Sequence, residues 1–167
     1  MLYHCYADDT QVYVAIMPKT TWSDVAKKLE ACLFDISTWM SANILKLNEE
    51  KIELIIFNPK LQVRINEKFR LQVRNNTVSV ASSVKNLGLY FDTSLTMERQ
   101  VNAISKTCYY HIRSFIRHIR RYITLDACKT LAHTLITSLL DYGNGLLYSL
   151  PSTLMTRLQK VQNLLPG

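Results

Sequence analysis

Residues 2–16 read LYHCYADDTQVYVAI, and this stretch decides how the first part of the chain is interpreted. Residues 2–7 and 10–16 are two runs rich in Tyr, Val and Ile, which favour β-strands. The polar pair Asp8-Asp9 lies between them, and two strands joined by a two-residue polar loop predict a β-hairpin. Asp also tolerates the positive φ that such a turn often needs. We therefore expect a hairpin with both carboxylates at its tip.

The remainder of the first half predicts one helix and several short strands. Apolar residues recur at three- and four-residue steps through residues 22–42, which indicates an amphipathic helix, and Thr21 with Asp24 resembles a capping box at its start. The connections between the strands are short, so we expect mostly antiparallel pairing. Runs of β-branched and aromatic residues place these strands at residues 45–47, 52–57, 69–73, 77–81 and 87–91.

The second half predicts helices. Helical periodicity covers residues 97–121 and 125–140, and a third helix follows Pro151. The sequence therefore predicts an α+β protein, in which an antiparallel sheet with a helix occupies residues 1–94 and an all-helical region occupies residues 95–167.

The net charge of +7 is concentrated in one half of the chain. Residues 1–83 contain ten Lys and Arg against nine Asp and Glu, whereas residues 84–167 contain ten against four. A basic half joined to a nearly neutral half indicates a polyanionic partner, nucleic acid first and an anionic membrane second; a charge that serves only solubility is the alternative. No apolar run is long enough to span a bilayer, so we expect no membrane-spanning segment.

The first long helix of the second half has a basic face and an apolar face. At about 100° per residue, five cations lie within about 40° of one direction. Tyr110 lies beside them and could stack on a base or contact a sugar. Such a row can follow a phosphate backbone without reading sequence, while a solvated helix face and a helix lying on an anionic membrane are the alternatives. We call the row the basic stripe, and it consists of Arg99, Lys106, Arg113, Arg117 and Arg120. The opposite face carries Val101, Ile104, Cys108, Ile112, Phe115 and Ile119.

The adjacent acids Asp8 and Asp9 suit a hard metal ion. Mg²⁺ prefers carboxylate oxygens and keeps water or substrate phosphate in its remaining positions. Phosphoryl transfer by two metals uses carboxylates that bridge or flank ions roughly 3.5–4 Å apart. The alternative is that the two aspartates only make the turn.

Four segments, in chain order, resemble parts of reverse transcriptases, and in particular those of non-LTR, LINE-type retrotransposons. Tyr-Ala-Asp-Asp within residues 4–13 is similar to the catalytic hairpin of these enzymes. Residues 45–53, LKLNEEKIE, resemble the family segment that ends in N-x-x-K-T-E, with Ile52 in place of the usual Thr. Residues 86–92, NLGLYFD, resemble the hairpin that grips the primer end, and the region down to residues 157–163, RLQKVQN, resembles the thumb.

The resemblance implies a fold and an activity. Residues 1–94 would form the C-terminal part of a polymerase palm and residues 95–167 a helical thumb. The activity would be that of an RNA-directed DNA polymerase, which extends a DNA primer on an RNA template by two-metal nucleotidyl transfer. The implied partners are an RNA template, a DNA primer and, in the complete enzyme, deoxynucleoside triphosphates, with no membrane.

Individual residues receive roles from the same resemblance. Asp8 would be a metal ligand and Asp9 a second or supporting carboxylate. Lys51 would lie near the incoming triphosphate and neutralise or protonate the departing pyrophosphate; a solvated turn lysine is the alternative. The primer grip would use Leu87, Gly88 and Leu89, where Gly88 permits close passage of the backbone or is an ordinary strand-packing glycine.

The implied metal is Mg²⁺, with Mn²⁺ as a substitute, and it requires a further carboxylate that the family places well upstream of the hairpin. We therefore expect part of a larger enzyme, or the product of a degenerate element copy, that is inactive alone. The four cysteines lie in mostly apolar surroundings without a C-x-x-C pair, which predicts reduced, buried thiols and an intracellular location, in the nucleus or cytoplasm. A non-catalytic basic nucleic-acid-binding module and an inert remnant are the competing hypotheses.

Overall fold

The computed structural model describes residues 1–17, 20–58 and 69–165. The chain forms two compact units, Met1–Ser82 and Ser83–Gly167. Both helices and small antiparallel sheets are present, so the predicted α+β class is confirmed.

The first unit contains two β-hairpins and one long helix. Each hairpin is a two-stranded antiparallel sheet. A single 3₁₀ turn, Glu49–Lys51, follows the helix. The elements are β1 (Leu2–Tyr6), β2 (Asp9–Tyr13), α1 (Trp22–Ala42), β3 (Arg70–Val73) and β4 (Asn76–Ser79).

Helix α1 begins and ends where the sequence predicts. The Thr21 hydroxyl accepts a hydrogen bond from the Asp24 backbone N–H (3.2 Å) and donates one to the Asp24 carboxylate (2.7 Å). The bond from the Thr21 hydroxyl also lowers the pKa of Asp24. The inner face of α1 packs against β3, where Trp22 and Phe69 place their ring centroids 5.1 Å apart. The core of this unit consists of Val25, Ile56, Phe69, Leu71, Val73 and Val78.

Two predicted strands of the first unit are wrong. Residues 45–48 are irregular, and residues 52–57 make one isolated parallel bridge, Leu54 with Val80, where the Ala81 N–H donates to the Leu54 carbonyl (2.7 Å). Ile56 is nevertheless buried in the core of this unit. A strand needs a ladder of backbone partners, and this segment has one isolated bridge, to Val80, which follows the last residue of β4.

The second unit combines a hairpin with a helical bundle. The hairpin packs on the helix that follows it, because the Tyr90 N–H donates to the buried Gln100 side chain (2.9 Å). The hairpin and this helix belong to the same compact unit. The elements are β5 (Ser83–Asn86), β6 (Leu89–Asp92), α2 (Glu98–Tyr110), a π-helical segment (His111–Ile116), α3 (Arg117–Ile119), a 3₁₀ turn (Arg120–Tyr122), α4 (Leu125–Asp141), a 3₁₀ turn (Asn144–Leu147) and α5 (Ser152–Gln162).

Helices α2, α4 and α5 share the core of the second unit. Val101, Cys108, Ile136 and Val161 are its most deeply buried side chains. Burial raises the pKa of the Cys108 thiol to about 11. The prediction of buried cysteines fails at Cys5, which is exposed because the residues of β1 are exposed on both faces of the strand. Among the described helices, none is long and apolar enough to cross a membrane.

Candidate functional site

The acidic hairpin, β1 with β2, carries the Tyr-Ala-Asp-Asp sequence. Its register pairs Tyr6 with Asp9, so the two-residue loop is Ala7-Asp8 and not the predicted Asp8-Asp9. Ala7 has a φ of +53°, a left-handed conformation that costs a non-glycine residue about 1–2 kcal/mol. Asp8 therefore lies in the turn, while Asp9 is the first residue of β2.

The two carboxylates are both accessible, but one projects from the turn and the other from the first residue of β2. Residues that oppose each other in an antiparallel pair project from the same face, so Asp9 shares a face with Tyr6 and Asp8 projects from the turn. Both aspartates are exposed. Within the described ranges, no group of three or more His, Cys, Asp or Glu side chains is arranged to hold a metal ion. The hairpin thus offers two hard oxygen ligands on one turn.

Lys51 ends the 3₁₀ turn of the first unit and is exposed. It makes no ion pair with Asp8 or Asp9 in the part of the chain that the structure describes. The neighbouring cleft, of about 420 Å³, is lined by Glu49, Glu50 and Glu53 together with β4. That lining is acidic and does not suit a triphosphate, so the cleft beside Lys51 gives no support to the role that the resemblance implies for this lysine.

The glycine hairpin, β5 with β6, carries the three predicted primer-grip residues. Asn86 pairs with Leu89, which leaves Leu87 and Gly88 as the loop and not as the start of a strand. Their φ values are +46° and +83°. Positive φ at both central residues is the signature of a type I′ turn, which Gly adopts readily and Leu does not. The backbone of the loop is therefore strained at Leu87.

The segment after α4 braces this loop. The Tyr142 hydroxyl donates to the Leu87 carbonyl (2.5 Å), and the Tyr142 ring lies 3.5 Å from where a Cβ on Gly88 would be. Gly143, with a φ of +72°, leaves room for Leu89, whose Cδ1 would lie 2.9 Å from a Cβ placed there. Sequence reasoning missed Tyr142, because 55 residues separate it from Leu87.

Asp92 ties the glycine hairpin to α2. Its carboxylate accepts hydrogen bonds from the backbone N–H groups of Ser94, Thr96 and Met97 and from the Thr96 hydroxyl, all at 3.0–3.1 Å. Burial by itself would raise the pKa of Asp92, but these bonds outweigh it and hold the pKa below its usual value. Leu95 and Met97 in this connection both have positive φ. The Asp92 side chain thus stabilises the strained turn that leads into α2.

The basic stripe is exposed but not continuous. All five of its cations and Tyr110 are exposed. The π-helical segment closes i→i+5 hydrogen bonds where an α-helix closes i→i+4, which places later residues about one position out of phase. Consistent with this shift, Phe115 is 45% exposed and Ile116 is buried, although the sequence predicts Phe115 on the core side. Arg117 and Arg120 therefore do not continue the row of Arg99 and Lys106.

Cations of the second unit lie over tyrosine rings. Tyr90 receives two of them, with the Arg99 guanidinium 4.6 Å and the Lys85 ammonium 5.5 Å from its centroid. Arg113 lies 5.3 Å from the ring of Tyr109, and not over Tyr110. Sequence reasoning missed Lys85, Tyr90 and Tyr109; the register of Lys85 opposite Tyr90 across the Leu-Gly loop was the available signal.

Few of these cations are neutralised by carboxylates. Across the described ranges, the ion pairs within 4.0 Å are Arg74 with Glu49 and Arg157 with Glu98, each 3.6 Å long. No residue of the basic stripe has such a partner there. Glu98, the acidic residue of α2, is paired with Arg157, which also donates to Asn102 (2.7 Å), and makes no ion pair with Arg99.

No protein-family model, no curated protein and no solved structure matches the chain. Function is therefore inferred from the motifs and from the geometry of the two hairpins and the cationic surface.

Proposed function

We propose that the chain is the palm-to-thumb part of an RNA-directed DNA polymerase of the non-LTR retrotransposon kind. The observation that carries the proposal is the acidic hairpin, in which Tyr-Ala-Asp-Asp forms a tight turn with Asp8 in the loop and Asp9 beginning β2. The glycine hairpin follows in the order that the resemblance requires, with Leu87 and Gly88 at its tip. In this proposal, the first unit is palm and the glycine hairpin is the primer grip that leads into the thumb helices.

Two exposed carboxylates fit a hard divalent cation. Asp8 and Asp9 would hold Mg²⁺, or Mn²⁺ as a substitute, together with at least one further ligand from another segment or chain. When bound, the ion would stabilise charge on the transferred phosphoryl group. The polypeptide's own contribution is to present both acids on a turn whose backbone is fixed by the strand pairing on either side.

The second unit would hold the primer–template hybrid. Its residues carry ten Lys and Arg against four Asp and Glu. Phosphate backbones bind such surfaces without sequence readout, because the affinity comes from neutralised phosphates and released counterions. The braced Leu87 carbonyl and Gly88 would pass close to the primer strand. Binding of this kind belongs in the nucleus or cytoplasm, where RNA templates and DNA primers occur.

Paramagnetic broadening by Mn²⁺ tests the metal site without relying on catalysis. We expect substoichiometric Mn²⁺ to broaden the backbone amide resonances of the acidic hairpin in the ¹⁵N-labelled chain, and Asp8→Asn or Asp9→Asn to remove the effect. Asp35→Asn is the matched control, since Asp35 is an exposed acid on α1. Broadening at Asp8 and Asp9 no stronger than at Asp35 would overturn the metal role.

A non-catalytic nucleic-acid-binding module is the second candidate. The observation that favours it is the set of exposed stripe cations with no carboxylate partner within the described ranges. Binding of a primer–template hybrid over a salt series separates the two candidates. Both predict affinity that falls steeply with salt and is lost in Arg113→Glu/Arg117→Glu, but only the polymerase proposal predicts that Asp8→Asn alters Mn²⁺-dependent behaviour.

A further inference from the structure

We propose that Lys85, Tyr90 and Arg99 form a binding site for the sugar–phosphate backbone of one nucleic-acid strand. The proposal deepens the nucleic-acid role proposed above and rests on it. The three residues come from β5, β6 and the first turn of α2, and the resemblance assigns no role to Lys85 or Tyr90. Two cations within 5.5 Å of one ring centroid form the centre of the site.

The hairpin register places the site on one face. Lys85 opposes Tyr90 and Ser83 opposes Asp92, so these four side chains project from the same side of the two strands. The other face carries Phe91, which packs against the core of the second unit. The binding face is therefore held in position by a core contact directly behind it.

Arg99 is oriented before any ligand arrives. Its guanidinium donates to the Ser83 hydroxyl (2.7 Å) and lies 4.6 Å from the centroid of the Tyr90 ring. An Arg held in this way loses little side-chain freedom on binding, and its planar fork still has donors to offer a phosphate. Lys85 is exposed on its strand and contributes a second, more mobile charge.

Two nearby acids, Asp92 and Glu98, are held by groups other than Lys85 and Arg99. Asp92 accepts hydrogen bonds from the residues that lead into α2, and Glu98 is paired with Arg157. Neither Lys85 nor Arg99 has a carboxylate within 4.0 Å in the described ranges. Two positive charges that share one ring repel each other, and an anion that contacts both removes this repulsion.

A nucleic-acid backbone fits these features better than a compact anion. Two cations lie over one aromatic ring, and a nucleic-acid strand offers them consecutive phosphates joined by a sugar. Tyr90 is half-buried and would contact that sugar or stack on the face of a base. No base-reading group is needed, which agrees with binding that tolerates any sequence.

Salt-dependent binding of a primer–template hybrid by the full chain is the first test. We expect Lys85→Ala and Arg99→Ala each to lower the affinity roughly tenfold at low salt and to reduce the slope of log affinity against log salt by about one. In the double variant, the slope of log affinity against log salt should be reduced by about two. Lys28→Ala, and Lys27→Ala/Lys28→Ala for the double, are charge-matched controls at exposed positions of α1 in the first unit and should leave the slope unchanged. Slopes for the site variants equal to those of the controls would overturn the site.

Protection from acetylation is the second test and needs no variant. Lysines of the native chain are acetylated with and without the hybrid, with tripolyphosphate, and with phosphatidylserine vesicles. We expect the hybrid to protect Lys85 but not Lys28, which is exposed on α1. Protection of Lys85 by tripolyphosphate or vesicles, without protection by the hybrid, would overturn the backbone assignment.

The outcomes separate this site from the proposed function. If Arg113→Glu/Arg117→Glu abolishes hybrid binding while the Lys85 and Arg99 variants bind like the native chain, the site is wrong and the nucleic-acid role stands. If the Lys85 and Arg99 variants lower the slope while Mn²⁺ leaves the acidic hairpin unchanged, the site stands and the polymerase role falls. If the native chain does not bind the hybrid, both fall.

Discussion

The hydroxyl of Tyr142 donates a hydrogen bond to the carbonyl of Leu87 over 2.5 Å, which joins the end of α4 to the tip of the glycine hairpin. Leu87 has a φ of +46°, which a leucine adopts only when its surroundings compensate. The bond from Tyr142 and the close approach of its ring to Gly88 supply that compensation. The proposed primer grip is thus fixed by a helix end distant in sequence.

Tyr142→Phe should weaken this contact without creating a cavity. The substitution removes one hydroxyl donor, so we expect a loss of about 0.5–1.5 kcal/mol in the free energy of unfolding. Urea denaturation followed by circular dichroism measures it. Tyr148→Phe is the control, because Tyr148 is 86% exposed; equal effects of the two substitutions would show that the bond does not stabilise the fold.

Gly143→Ala should destabilise the second unit more strongly. A methyl at this position would lie 2.9 Å from Leu89 Cδ1, and the φ of +72° disfavours any L side chain. We expect a loss of about 1–2 kcal/mol. Gly145→Ala is a matched control from the same segment, because a methyl added there would meet no atom within 4 Å. In thermal denaturation, a Tm for Gly143→Ala that matches that of Gly145→Ala would contradict the expected clash.

Asp92 should make stability depend on acid pH. Its pKa is held below the usual value of 3.8, so the folded chain releases this proton more readily than the unfolded chain. The resulting stabilisation is fully present above that usual value and is lost as the pH falls through the lower folded pKa. Urea midpoints from about pH 6 to about pH 2 should therefore fall less steeply in Asp92→Asn than in the native chain.

The free energy of unfolding of Asp92→Asn at neutral pH gives a second test of the same carboxylate. An amide offers one acceptor oxygen where the carboxylate accepts four hydrogen bonds, so Asp92→Asn should lose about 1–2 kcal/mol at pH 7. Asp35→Asn controls for the loss of one charge. Parallel pH profiles for the native chain and Asp92→Asn would show that the hydrogen-bonded carboxylate does not couple to folding.

Sequence patterns predict the helices and strands that are determined by residues close together in the sequence. Helix α1 follows from its apolar period and from Thr21, which caps it as expected. The acidic hairpin follows from its strand and turn residues, although its loop lies one residue earlier than predicted because Ala7 takes the left-handed position. The glycine hairpin does not, because Leu87 and Gly88 form its loop where the pattern predicts the start of a strand. Residues 52–57 have the composition of a strand but lack a backbone partner, a property of the whole fold.

The candidate site is less predictable because its groups come from separate elements. The exposure of the stripe cations was foreseeable from their spacing, but the π-helical segment that shifts them depends on how Ile116 packs with the residues of α4. Lys85, Tyr90 and Arg99 belong to three elements that only the folded chain brings together. No periodicity connects Tyr142 with Leu87.

The phase shift at the π-helical segment predicts unequal costs at two neighbouring positions. Ile116 is buried with Cys128 and Ala132, so Ile116→Ala should cost about 2–4 kcal/mol through lost contacts and a residual cavity. Phe115 is 45% exposed, so Phe115→Ala should cost less despite the larger side chain. Chemical denaturation of both variants measures the difference. A larger loss for Phe115→Ala would indicate instead that the α-helix is uninterrupted, with Phe115 in the core and the basic stripe continuous.

The acidic hairpin leads to a prediction about catalysis by the chain alone. Two-metal nucleotidyl transfer needs carboxylates that bridge or flank both ions, and the proposed function takes at least one further ligand from another segment or chain. We therefore expect no primer extension above background on an RNA template with Mg²⁺ or Mn²⁺, measured by gel with a labelled primer. The same preparation should still bind the hybrid, which shows that it is folded. Template-dependent incorporation that Asp8→Ala abolishes and Asp35→Ala leaves intact would show instead that these two carboxylates work with ligands from the substrate alone.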